Sequence, residues 1–423
     1  MIRKKSIWLF FGLILFKLLT DFTYREIISV LFGYQNFNLS PSTEYQILSW
    51  IVLLLFSPLI INIISKKGLS NSILTVLICV SFIPTLTMIG YNSSYPLTYI
   101  LQILTYWIIL LIATVALPPI RFKIHPLFQK FKIADIIILI LCLNVFYLSW
   151  RYTGFRFHFG LMNVYEIRTE ARSYQFPKIF GYLLTFADNI LPIGLVYYMN
   201  KKKWLIAVVL IVMIYLNFSI TATKQIFFLL LLAIIGYFFI RELKISKHIL
   251  LGFLLLMSAG ALEYFFFSTY LISTLSTYRV FFIPAKLHYV YYNYFSVNEL
   301  DYFRQSFLKG FLDSPYKENI GFLMGYVDIG DFTARANNGL FSDAYFNLGT
   351  LGIIIFPFVI TIILKLLDGA IHGLMSNMFF IIIVSYSFVL LGLPFSTILL
   401  SGGFIPLIIY LYSIPRKNIP DNV

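Results

Sequence analysis

Ala334-Arg-Ala-Asn-Asn-Gly-Leu-Phe-Ser-Asp-Ala344 closes the longest interruption in a chain that is otherwise almost continuously apolar. That interruption opens on Ser268-Thr-Tyr-Leu-Ile272 and passes through Tyr278-Arg-Val-Phe-Phe-Ile-Pro284. Its charges nearly cancel, with Arg279, Lys286, Arg304, Lys309, Lys317 and Arg335 against Glu299, Asp301, Asp313, Glu318, Asp328, Asp331 and Asp343. A structureless segment of this length is uncommon in a compact protein, so it is expected to fold and to act as a working lid.

On both sides of it the sequence falls into apolar blocks of ~20 residues, the length that crosses a hydrocarbon core. Of the 423 residues, 60% are hydrophobic and 12% charged, about half the charged share of a soluble protein. Lipid cannot satisfy backbone polar groups and no strand-like alternation is visible, so the blocks are expected to be helices. The reading is an all-α polytopic integral membrane protein of about twelve spans. It runs from 6–22 to 398–414 and includes 225–241 and 378–394, with the large loop between spans nine and ten. The basic start Met1-Ile-Arg-Lys-Lys5 precedes an apolar run with no small-residue cleavage site after it, so it is read as a retained first helix.

Formal charge of +14 raises the question of nucleic acid, and its distribution answers it. With a cytoplasmic N-terminus, 18 of the 32 Lys and Arg fall in loops on that side, around Lys66, Arg121, Lys201, Arg241 and Arg416. Few acids join them, as the positive-inside rule requires. The excess charge is topological, and nucleic acid is not an expected partner. Cys79 and Cys142 lie in apolar blocks and read as small buried hydrophobes. No period repeats and no soluble domain is appended, so 1–423 reads as one membrane domain with external segments at 151–177 and 268–344.

In the first external segment, residues 163–172 read as a short helix capped by Asn163, with Glu166 three residues on and Pro177 as its limit. Arg168 and Arg172 share one face, turned about 200° from Glu166 and Glu170. Such a face suits a pyrophosphate, because guanidinium binds phosphate oxygens bidentately; solvated surface charge is the plainer alternative. Arg151, Arg156 and His158 read as surface anchors.

In the large segment Pro284 fits the first turn of a helix ending near Phe295. Arg279 just before that helix and Lys286 in its first turn lie where helix N-termini attract anions. Tyr289 and its neighbours Tyr291, Tyr292 and Tyr294 suit either sugar stacking or an interfacial aromatic belt. His288 reads as a base or as a structural ring. At the exit, Arg335, Asn337, Asn338 and Asp343 cluster beside a span. Asp343 reads as a base or a helix cap, and Gly349 and Gly352 as aids to close packing.

Arg279-Val-Phe-Phe-Ile-Pro284 with its Tyr-rich helix, and Asn337-Asn-Gly-Leu-Phe-Ser-Asp-Ala-Tyr-Phe-Asn-Leu-Gly-Thr-Leu-Gly352 leading into a span, resemble the Wzy-type O-antigen and capsular polysaccharide polymerases. Tyr165-Glu-Ile-Arg-Thr-Glu-Ala-Arg172 also looks like that family; in motif the resemblance covers roughly forty residues. It implies a GT-C-like fold in the bacterial cytoplasmic membrane, where the distribution of basic residues already places both termini on the cytoplasmic side, and transfer of a growing glycan from undecaprenyl pyrophosphate to a lipid-linked repeat unit. Donor and acceptor are then both undecaprenyl-pyrophosphate-linked oligosaccharides, with a chain-length regulator as a further partner. In that reaction Asp343 or His288 takes the acceptor proton and Arg279 stabilises the departing pyrophosphate. Arg168, Arg172, Lys286, Arg335, Asn337, Asn338 and Tyr289 hold pyrophosphate or glycan. Glu299 with Asp301, and Asp328 with Asp331, are weak metal candidates, so neither metal nor cofactor is expected. The alternatives are an O-antigen ligase and, in another class, a lipid-linked oligosaccharide flippase. Asp188-Asn189 inside a span is the transport-like feature, with a tie from Asp188 to Lys224 as its plainer reading.

Overall fold

The computed structural model describes residues 2–123, 132–156, 164–240 and 245–416, and among them there are helices and no strand. The helices are α1 (Ser6–Gln35), α2 (Thr43–Ser65), α3 (Leu69–Tyr91), α4 (Leu97–Ala116), α5 (Ile133–Thr153), α6 (Val164–Ser173), α7 (Lys178–Asn200) and α8 (Trp204–Thr221). They continue with α9 (Lys224–Phe239), α10 (Ser246–Phe267), α11 (Ile283–Phe295), α12 (Ile320–Ile329), α13 (Phe341–Ala370), α14 (Ser376–Gly392) and α15 (Phe395–Ser413). Ten of these are long and apolar enough to cross a membrane, so the chain is a multi-pass membrane protein. Two of the twelve expected spans, 225–241 and 378–394, fall on the shorter apolar helices α9 and α14.

The chain divides into two compact units. One comprises residues 1–118, 244–365 and 387–396, the other 119–243, 366–386 and 397–423.

The second unit is tied by polar pairs inside apolar helices. Asp188 accepts from the Asn217 amide at 2.7 Å, Asn189 from Ser385 at 2.5 Å, and Asn200 and Asn377 exchange amide bonds at 2.9 and 2.8 Å. The Asp188 carboxylate is thus met by Asn217 of α8, the helix before the one that Lys224 opens. The short helix of the first external segment forms as α6, and Arg156 pairs with Glu170 on it.

The first unit holds the large segment. α1 runs thirteen residues beyond the expected end at 22, through a π-helical turn at Tyr24–Ile28. Asp21 lies within this helix and is buried. Its carboxylate is paired with Lys17 and accepts from Thr87 at 2.7 Å.

The opening of the large segment does not lie over the surface as a lid. Ser273–Phe282 form a π-helix that doubles back along α10, with Gly260 facing Ser273 and Phe281 meeting Phe253 at 5.4 Å. Phe281 also meets Phe16, and Phe282 meets Tyr24, so the stretch packs among the spans. The cause is compositional: Ile272, Phe281 and Phe282 offer an apolar face that water would not solvate. From there α11 returns, with Pro284 in its first turn as its fixed φ favours.

The exit motif is explained by close backbone approach. A Cβ on Gly339 would stand 2.2 Å from the Leu390 carbonyl oxygen, and the Gly339 N–H donates to the Leu391 carbonyl at 2.8 Å. α13 is then broken at Gly349, whose φ of 56° and ψ of −138° favour glycine. The break frees carbonyls, and the segment supplies their partners: the Asp301 N–H reaches Phe346 O at 2.9 Å and the Tyr302 N–H reaches Asn347 O at 3.2 Å.

Candidate functional site

Two faces of α11 divide the predicted residues between them. Lys286, Tyr289, Val290 and Asn293 recur at helical spacing on one face, and His288, Tyr291, Tyr292 and Phe295 recur on another, offset by two residues. The first face lines a cleft of about 300 Å³; the second is buried in the bundle.

The cleft is completed by Asn36 and Asn38 after α1, by Asn92, Ser94 and Tyr95 after α3, and by Val327 and Asp328 of α12. Lys286 anchors its floor. The ammonium lies 2.7 Å from Asp328 Oδ1, donates to Gln35 O at 2.9 Å, and sits over the Phe37 ring at 4.7 Å. Burial draws the Lys286 ammonium below its ordinary pKa and the Asp328 carboxyl above its own, each opposed by the other's charge. Tyr289 stands against Tyr95 at 4.2 Å between ring centroids and Tyr99 at 5.2 Å, forming an aromatic wall. Asn92 Oδ1 accepts from Ser94 and Ser40, and Asn36 donates to Asp328 O at 3.0 Å, so the amide rim is pre-set. An aromatic wall facing amides and a carboxylate suits a polyhydroxylated ring, which has apolar C–H faces and hydroxyl edges.

His288 is fully buried on the other face. Asn338 Nδ2 donates to Pro284 O at 3.1 Å and also faces His288 Nδ1 at 3.1 Å, so Nδ1 acts as acceptor. The ring hydrogen, by this assignment, lies on Nε2 and points to Ser81 Oγ at 2.9 Å. Ser342 Oγ, 3.1 Å from Nδ1, completes the cluster. Burial pushes the imidazole down to about 3, which keeps it neutral at physiological pH. With both nitrogens engaged, it acts as a cross-link between α3, α11 and the start of α13.

Asp343 is buried as well. Its carboxylate accepts from the Phe395 N–H at 2.6 Å, capping the first turn of α15, and from the Asn347 amide at 2.9 Å. Asn337 lies over Gly321, where α12 meets the exit segment and the Ala336 N–H also donates to Gly321 O at 2.9 Å. Arg335 is exposed over the Phe322 ring at 4.5 Å. Arg279 is exposed on the π-helix, with no carboxylate in ion-pair range among the described residues. Arg168 and Arg172 fall within α6, but their side chains lie outside the described residues.

The structure thus brings Lys286 and Tyr289 to the cleft, holds His288, Asn338 and Asp343 within the bundle, and leaves Arg279 and Arg335 exposed. Sequence reasoning passed over Asn36, Asn38, Asn92, Ser94, Tyr95 and Asn293, and read Asp328 only as a weak metal candidate. The runs Asn36-Phe-Asn38 and Asn92-Ser-Ser94, each directly after a span, were the available signal. Asp301 and Asp331 have other work: Asp301 accepts from Gln305 N–H and Ser314 Oγ, and Asp331 from Thr333. Set against known protein families, characterised proteins and solved structures, the chain has no match.

Proposed function

We propose that this chain is a membrane glycosyltransferase of the polysaccharide-polymerase kind. It transfers a growing glycan from undecaprenyl pyrophosphate to a lipid-linked repeat unit at the outer face of a bacterial cytoplasmic membrane. The helical scaffold is GT-C-like, with twelve crossings and both termini cytoplasmic. The observation that carries the reading is the cleft beside α11, where Tyr289 and Tyr95 offer a stacking wall and Asn36, Asn38, Asn92 and Asn293 offer hydrogen-bond partners for hydroxyls. Asp328, on the cleft wall and drawn upward by burial, is the carboxylate suited to take the acceptor proton. Exposed Arg279 and Arg335, with Arg168 and Arg172, supply cationic groups for a pyrophosphate leaving group. Metal independence belongs to the same reading.

A transport reading has one observation in its favour, the polar pairs Lys17–Asp21 and Asp188–Asn217 within spans. Purified chain in nanodiscs, given undecaprenyl-pyrophosphate-linked repeat units and EDTA, separates the two. The expected product is a ladder of lengthened glycans, lost in Tyr289→Ala and Asp328→Asn variants that remain folded. In sealed vesicles, movement of the lipid across the bilayer with no lengthening would establish transport instead. Transfer only when lipid A core is added would establish ligation.

A further inference from the structure

The turn Asp301–Ser314 carries apolar side chains that neither the cleft nor the chemistry above employs. Its ends are cinched: Asp301 is 1% exposed, and its carboxylate accepts from Ser314 Oγ at 2.9 Å. Between them the backbone closes on itself, with the Leu308 N–H on Phe303 O at 3.0 Å, the Leu312 N–H on Leu308 O at 3.1 Å, and Gly310 at φ +98°. This is a compact loop with close ends rather than a flexible stretch. The tip points its largest apolar groups away from the protein. Phe311 is 84% exposed, Leu312 54%, Phe307 49% and Leu308 36%.

The depth of the turn decides what covers that tip. The loop docks on the free carbonyls beside the Gly349 break, and its Phe303 ring stacks on Phe356 at 6.1 Å, interplanar angle 6°. Phe307 meets Phe395, the first residue of α15, at 6.0 Å. Phe356 lies seven residues past Gly349, hence about 10 Å along the spanning part of α13. The same stretch of α13 exposes Leu351, Ile354, Ile355 and Phe358, as a lipid-facing helix does. The tip is therefore continuous with an apolar surface that already belongs to the bilayer. Lys309, exposed between the apolar residues, has the long stem that lets an ammonium reach headgroup phosphates from such a position.

We propose that Phe307, Leu308, Phe311 and Leu312 insert into the adjoining lipid leaflet, so that the turn Asp301–Ser314 anchors the large segment to the membrane surface. The anchor fixes the height of α12 through Gln305, which donates to Glu318 O at 2.7 Å and accepts from the Ile320 N–H at 3.0 Å. This assignment does not depend on the catalytic reading.

Nitroxide side chains at Phe311→Cys and Leu312→Cys test it in full-length protein with Cys79→Ala and Cys142→Ala, reconstituted in phosphatidylglycerol-containing vesicles. Val297→Cys, at a residue 83% exposed beyond the end of α11, is the aqueous comparison. Collision with dissolved oxygen relative to a water-soluble nickel chelate is expected to be several-fold higher at 311 and 312 than at 297. Chelate access at 311 equal to that at 297 would overturn the anchor. So would exclusion of both reagents from 311, the result that a second copy or another protein covering the tip would give.

Discussion

At the scale of single residues, the Lys286–Asp328 pair shows how a charge read from sequence as free for an anion is committed on folding. The two side chains are 4% and 10% exposed, so each partner's charge is tolerated because the other is there. Lys286→Met is expected to cost about 3–5 kcal/mol, because it leaves Asp328 buried and alone. Adding Asp328→Asn should recover a large part of that loss, since no uncompensated charge then remains. The pH dependence follows from the direction of the Asp328 shift. Its pKa lies above the ordinary carboxylate value, and further above it without Lys286. The single variant should therefore be least handicapped below about pH 4, where Asp328 is protonated folded or unfolded, and lose stability as pH rises through the folded value. Unfolding in detergent at several pH values measures this. Equal losses for single and double variants at every pH would show the pair to be energetically idle.

At the scale of elements, the break in α13 is where the large segment is fastened. Gly349 holds a backbone conformation that Ala adopts at a cost of about 1–3 kcal/mol, and a Cβ there would stand 3.1 Å from Leu300 Cδ1. Gly349→Ala should destabilise by that amount and speed amide exchange at Asp301 and Tyr302, whose N–H groups depend on the freed carbonyls. Gly33→Ala, with open space around it, should stay within ~0.5 kcal/mol of the parent. If Gly349→Ala behaves like that comparison, the break is not the fastening point. This element also marks the limit of sequence reading. Apolar block length gave the helices, and Pro284 gave the start of α11, because both are local signals. The fates of His288 and Asp343 depend on Ser81 and Phe395, 207 and 52 residues away, and no local spacing encodes them. The descent of Ser273–Phe282 among the spans was hidden by interleaved Ser, Thr and Tyr, which read as surface.

At the scale of the whole molecule, two contacts constrain the topology by parity. Ser94 and Asp328 line one cleft, so an even number of crossings should separate them. Between them lie the long helices α4, α5, α7, α8 and α10, an odd number, and α9 supplies the sixth only if its 16 residues cross. At about 1.5 Å per residue α9 is roughly 24 Å long, shorter than a typical core of ~30 Å, which local thinning accommodates at modest cost. The same argument applies to α14: Gly339 hydrogen-bonds Leu391 across the intervening α13, so α14 should return to the side from which α13 left. If α9 and α14 both cross, twelve crossings leave both termini with the basic loops. We therefore expect Ser94→Cys and Lys317→Cys, in the background lacking Cys79 and Cys142, to react with an impermeant maleimide on intact cells. His372→Cys should react only after the membrane is opened. Labelling of Lys317→Cys only after the membrane is opened, with Ser94→Cys still reactive on intact cells, would mean that α9 does not cross, and the basic loops would then divide between the two faces, against the asymmetry that orients membrane proteins.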